Sequence, residues 1–186
     1  MRRIFCAALL AASSARASEF GKQGQFLPAG GVALIHSSTG NDSDLRLLIE
    51  PQLAWFAADH FAVGIVVRYE IDKATRNGID QGTQASSGLE PFAAYDLLLS
   101  PWLSVFPAAG FFVTSGFGDR KAWGVSVFAP LLFHPAPHFF LGAGPSISAE
   151  LQATIPAQDI SIPGAVSEST SKNLILSLRT LLGGYF

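Results

Sequence analysis

The sequence predicts an all-β protein, a closed eight-stranded antiparallel up-and-down transmembrane β-barrel. Three observations predict it. Eight segments of about 10 to 14 residues alternate unlike side chains with a period of two, the repeat of a strand with two different faces. Charged residues make up only 14% of the 186, against roughly 25% in soluble domains, and mean hydropathy is +0.35. Within the segments, charges share one face and bulky apolar residues the other.

The chain opens with a stretch outside that pattern. Arg2 and Arg3 precede an apolar run from Ile4 to Ala12, and Ala15-Arg16-Ala17 forms a small-x-small cleavage site before Ser18. Residues 1–17 are therefore expected to be a cleaved signal peptide, 18–25 a short lead-in and 26–186 the barrel. Cys6, the one cysteine, leaves with the leader, so the mature chain has no disulfide, catalytic thiol or thiolate metal site. Without Arg2, Arg3 and Arg16, the 12 basic residues become 9 against 14 acids. An acidic chain with no basic patch argues against a nucleic-acid partner.

Eight strands follow: Phe26 to His36, Asp44 to Phe56, Phe61 to Glu70, Gly88 to Leu98, Leu103 to Thr114, Ala122 to Phe133, Phe139 to Leu151, and Asn173 to Phe186. Two uncharged stretches, 97–118 and 122–149, are long enough for membrane helices, but prolines such as Pro107 and Pro130 interrupt them. The connections alternate in length. After the first, third, fifth and seventh strands they are long and polar or glycine-bearing, as in "IDKATRNGIDQGTQASS"; after the second, fourth and sixth they are only "AADH", "SPW" and "HPAPH". Long loops thus gather at one end of the barrel and short turns at the other.

Parity holds from strand to strand. Leu45, Leu47, Ile49, Leu53 and Trp55 oppose Arg46 and Glu50; Phe61, Val63, Ile65, Val67 and Tyr69 oppose Arg68 and Glu70. Leu89, Ala93 and Tyr95 oppose Glu90 and Asp96, Leu141 and Ile147 oppose Glu150, and Leu176 and Leu178 oppose Arg179. Those eight charges form one set, apart from Asp44 at a strand mouth.

Which face meets water follows from counting. A soluble surface with roughly 25–35% charge would place about 12 to 17 charged groups on the polar face, which carries about nine and no lysine. The same face holds Ala62, Gly64, Ala94, Gly110, Gly124 and Gly142, the small residues that a crowded eight-strand interior needs. The apolar row is therefore expected to face hydrocarbon, with Arg46, Arg68 and Arg179 paired among Glu50, Glu70, Glu90, Asp96 and Glu150 in the lumen. Closure is then obligatory, because lipid tolerates no open sheet edge. Pro28, Pro51, Pro91, Pro107, Pro130 and Pro145 lie inside strands, each deleting a ladder donor, so bulges or frayed pairing are expected there.

With that pattern the chain resembles the family of small eight-stranded outer-membrane barrels of the outer-membrane protein A and X type, over Gln25 to Phe186. Its most specific element is the end, "LILSLRTLLGGYF", an alternating strand closing on Tyr185 and Phe186. The resemblance implies that this terminal segment is the signal read by the outer-membrane assembly machinery of a Gram-negative cell. The family usually keeps a bulky residue where this chain has Gly184. The resemblance further implies termini and short turns in the periplasm, long loops outside, and lipid and lipopolysaccharide as surroundings. His60, Trp102, Phe133, His134 and His138 would then form a periplasmic rim.

Chemistry is sparse. His134 and His138 share a short turn, but no carboxylate spacing or thiolate completes a metal site, and no metal or cofactor is expected. His36 and Ser38 followed by Glu50 look like the Ser, His and Glu of the outer-membrane lipid A deacylases, yet pairing across "SSTGNDS" puts His36 opposite Leu45. Glu50 is then five residues, or about 17 Å, away, far beyond hydrogen-bond reach. The expected protein is thus a non-enzymatic monomer with a structural or surface-interaction role through loops whose ligand is unknown. A narrow pore or small-molecule carrier is the alternative, and a lipid-modifying hydrolase a weaker one.

Overall fold

The computed structural model of the chain describes residues 20–39, 42–76, 79–116, 121–154 and 173–186. The leader expected over residues 1–17 lies outside them. Among the described residues every regular element is a strand: β1 (Phe26–Thr39), β2 (Asp42–Ala58), β3 (Phe61–Arg76), β4 (Ile79–Tyr95), β5 (Leu97–Ser100), β6 (Leu103–Val105), β7 (Ala108–Gly116), β8 (Lys121–Phe128), β9 (Leu131–Ala136), β10 (Phe139–Thr154) and β11 (Asn173–Gly184).

These eleven form eight staves, because β4 and β5, β6 and β7, and β8 and β9 are continuous strands broken only at Asp96, at Phe106-Pro107 and at Ala129-Pro130. Register runs unchanged across the breaks. Leu103 pairs with Phe133 and Ala108 with Phe128, on one and the same alignment. All neighbours are antiparallel, and β11 pairs with both β10 and β1, closing the barrel. The expected eight-stranded up-and-down architecture is therefore the observed one.

The prolines explain the breaks. Tyr95 donates its N–H to the Pro107 carbonyl at 3.0 Å, Phe106 to Pro130 at 3.0 Å and Ala129 to Pro145 at 3.1 Å. Each proline has lost its donor but keeps its acceptor, so the ladder is thinned and not cut. Pairing is also absent beside Pro51, between Ile49–Tyr69 and Gln52–Val66, and beside Pro91, between Leu89–Val113 and Phe92–Gly110. Some register shifts fall elsewhere, as between Lys73 and Thr75 and between Glu150 and Gln152. Frayed pairing is thus the effect of Pro51 and Pro91, whereas a register shift accompanies Pro135, which lies between Phe133 and Ala136 opposite Leu141 and Phe139.

Two expected connections, 37–43 and 71–87, are largely strand, the first because β1 runs on to Thr39 and β2 starts at Asp42. β3 runs on to Arg76 and β4 starts at Ile79, so the polar stretch 71–87 is a hairpin standing beyond the apolar belt, with Lys73 and Asp80 at 3.2 Å near its tip. Apolar alternation stops there because no hydrocarbon demands it, while the hydrogen-bond ladder continues. The short turns keep their expected place, and the second residue of two of them, His60 and His138, has a positive φ of 65° and 61°.

Between the turn end and the outer hairpin the outer wall is predominantly apolar. Leu53, Ile65, Val67, Leu89, Val113, Val125, Leu141 and Ile147 are all exposed, while Ala62, Val66, Phe112 and Ser126 on the opposite face are buried. From Leu45 to Trp55 this wall rises through ten steps of about 3.3 Å on a strand tilted by about 40°, or about 25 Å, the height of a membrane barrel's apolar band. Exposed Phe26, Trp55, Phe61, Tyr95, Trp102 and Phe133 ring the turn end, and Tyr69 and Trp123 stand at the loop end.

The sealed lumen as candidate functional site

The interior is built in three levels. Nearest the loops lies a cavity of about 410 Å³, lined by Arg46, Glu70, Ser86, Thr114, Ser148, Glu150 and their neighbours. Arg46 on β2 reaches Glu70 at 3.0 Å and Asp72 at 3.6 Å on β3. Parity alone places these groups together, since adjacent antiparallel strands present facing residues to the same side.

Below it four charges from four staves converge. Arg68 on β3 lies 3.4 Å from Glu50 of β2 and pairs closely with Glu90 of β4, while Arg179 of β11 binds the other Glu50 oxygen at 2.5 Å. Ser126 donates to Glu90, and Arg179 donates to the Ser146 hydroxyl at 3.5 Å. The guanidiniums lie over aromatic rings, Arg68 on Phe112 at 4.8 Å and Arg179 on Phe128 at 4.7 Å, so their charge meets π faces where hydrogen bonds are missing. Two positive and two negative groups make this level neutral, as a set of buried charges must be to survive.

The third level, at the turn end, is aromatic. Phe20 is 0% exposed, and its ring centroid lies 5.2 Å from Phe56, 5.8 Å from Phe106, 5.7 Å from Phe140, 5.1 Å from Tyr185 and 5.0 Å from His134. The segment carrying it is tied down by backbone bonds, His60 N–H to Gly21 carbonyl at 2.6 Å and Gly24 N–H to Phe56 carbonyl at 2.8 Å. Gly21 has φ +85° and sits so close to the His60–Asp96 pair that a Cβ there would come within 2.9 Å of His60 Nδ1. Only glycine combines that dihedral with that approach.

Of the eight charges singled out from the sequence, Glu50, Arg68, Glu90 and Arg179 meet in one cluster, and Arg46 and Glu70 form a separate pair above it. Asp96 stands apart at the turn end with His60 at 3.1 Å, and Glu150 lines the upper cavity. Asp72 joins Arg46 because β3 continues past Glu70 into the stretch expected to be a connection. Phe20 was missed altogether, being a lone aromatic outside any alternating run. Tyr185 points inward, fully packed in the aromatic level, whereas Phe186 points outward and exchanges both backbone hydrogen bonds with Phe26 at 3.0 Å.

His134 corrects the expected rim. It follows outward Phe133 in β9 and so faces inward, buried, with Nε2 3.2 Å from the Ser104 hydroxyl. His138 donates through Nδ1 to the Tyr185 carbonyl at 3.0 Å and stacks on Phe186, remaining at the rim. The backbone register sets His36 opposite Leu45 and Glu50 opposite Gly31, so the would-be triad stays about 17 Å apart along the strand.

An apolar outer wall about a closed sheet, with the charges at the level of that wall turned into the lumen, defines a transmembrane β-barrel. Comparison of the chain with family models and with curated proteins returns no match. Among solved structures it is similar to the outer membrane protein OprG from Pseudomonas aeruginosa, with 14% identity over 89% of this chain and 97% of that one and a TM-score of 0.46.

Proposed function

We propose that the protein is a monomeric barrel of the Gram-negative outer membrane with a structural or surface-interaction role, its long loops facing outward and its lumen closed. The single observation that carries this reading is the stacking of two seals, the Glu50–Arg68–Glu90–Arg179 cluster over the Phe20 aromatic level, beneath a dead-end cavity. Between them the free space is about 20 Å³, little more than one water. A lumen so filled gives no support to the pore or carrier alternative, and the separation of His36 and Glu50 none to the hydrolase. The chain end, with Phe186 displayed toward lipid, supports recognition by the assembly machinery.

Planar-bilayer recording on the purified mature barrel tests the reading. The expected result is no steady conductance at moderate voltage; stable open steps in the nanosiemens range would return the pore to first place. Fractionation, with heat-modifiable mobility of the outer-membrane band, checks location and barrel closure together.

A further inference from the structure

The wall of the barrel is uneven. β1 and β11 pair only at Ala29–Gly183 and Gly30–Leu182, helped by the Phe26–Phe186 bonds below and by the Thr180 hydroxyl donating to the Val32 carbonyl at 2.8 Å. At Gly31 the strands still touch, since a Cβ there would lie 2.6 Å from the Thr180 carbonyl oxygen. Above this point the same alignment would set Ala33 against Arg179, Ile35 against Ser177 and Ser37 against Ile175, but none of these positions pairs. β1 goes on to pair with β2 up to Thr39, and β11 with β10 as far as Asn173. The seam therefore opens toward the loop end. The side chains beside it register the gap: Leu174, Leu176 and Leu178 are 73–75% exposed, whereas Ile65, Val67, Val125 and Ile147 elsewhere on the wall are 41–45% exposed.

Unpaired strand edges are excluded from hydrocarbon unless they line a wet or polar cavity. A polar space lies inside this part of the wall: the 410 Å³ cavity is lined by Ser177 and Arg179 of β11, one edge of the gap, and by Arg46 and Glu50 of β2, the strand next beyond β1. Both charge signs are present, and Arg179 Nε, deeply buried, has no hydrogen-bond partner among the described residues. Resting on the membrane-barrel reading, we infer that this seam is a lateral binding site for a zwitterionic membrane amphiphile. Its headgroup enters the cavity between β1 and β11, and an acyl chain lies along Leu174, Leu176 and Leu178. The mixed charge fits a head carrying both signs, and the leucine stripe fits a tail that never leaves the bilayer.

The test uses the full mature barrel in phosphatidylglycerol vesicles, with cysteines introduced into a mature chain that has none. Ser146 and Ser177 are partners on β10 and β11, so the S146C/S177C pair should oxidise to a disulfide readily; the I35C/S177C pair, across the open seam, should not. With S177C alone, replacing half the lipid by phosphatidylcholine should slow labelling by a water-soluble maleimide about fivefold or more. Labelling of an Asp80→Cys control at the outer hairpin should not change, and glycerophosphocholine, a headgroup without a tail, should give no protection. Equal cross-linking of the two pairs, equal labelling in both lipids, or protection by glycerophosphocholine would each overturn the site. Carbonate extraction of the protein would instead sink the membrane reading itself, a separate result.

Discussion

Arg179, seven residues from the chain's end, grips Glu50 of the second strand at 2.5 Å, across the seam where the first and last strands meet. Glu50 also faces Arg68, so one carboxylate links the two guanidiniums. Removing it leaves two buried cations sharing Glu90. Glu50→Ala should therefore destabilise the barrel by about 3–5 kcal/mol, the usual cost of orphaning a buried charge. Urea unfolding in detergent micelles measures it. A loss under 1 kcal/mol would mean that water reaches this level freely.

Phe20 fills the space between five rings, and the short segment bearing it is otherwise held by a few backbone bonds. Phe20→Ala should cost about 3–5 kcal/mol, the transfer of a buried ring plus the cavity left behind. Phe20→Leu should cost distinctly less. The same unfolding assay reads both, and benzene added to the alanine variant should restore part of the loss.

Ile65 and Arg68 stand three positions apart on one strand and face opposite media. Spin labels at the two sites should separate cleanly, the first broadened by lipid-soluble oxygen and the second shielded from it. Ile65→Arg should destabilise by about 2–4 kcal/mol if the site lies near mid-bilayer, whereas a soluble barrel would tolerate arginine on its surface.

Tyr185 and Phe186 are neighbours with different duties. Tyr185 belongs to the inner aromatic level, so Tyr185→Ala should lower the unfolding midpoint of the assembled protein. Phe186 faces outward, and Phe186→Ala should reduce the amount reaching the membrane while leaving the midpoint of what assembles within about 1 kcal/mol, as for an exposed side chain. Pulse-labelled assembly assays and unfolding curves, compared for the two variants, distinguish the roles.

Much of this architecture was legible in the alternation itself. Parity placed Ile65 and Val67 outside and Glu50, Glu90 and Arg179 inside, because a strand's period is fixed by the backbone and a membrane permits no exception on its lipid face. The His36–Leu45 register was equally readable from the length of the turn between its strands. Where the chain leaves the hydrocarbon the signal fades: the hairpin through Lys73 and Asp80 remains a ladder, but its side chains no longer sort by polarity.

Sequence by itself thus determined the strand count, the inward and outward faces and the set of charges that had to be enclosed, since each follows from local periodicity and desolvation cost. Which charges meet was decided only by closure, as register and tilt carry Arg179 to Glu50 and leave Asp96 with His60. Tertiary packing alone also sent Phe20 into the turn end and left the upper β1–β11 edges apart. Those outcomes depend on distances between residues as far apart in the chain as Phe20 and Tyr185, 165 positions, which no local pattern encodes.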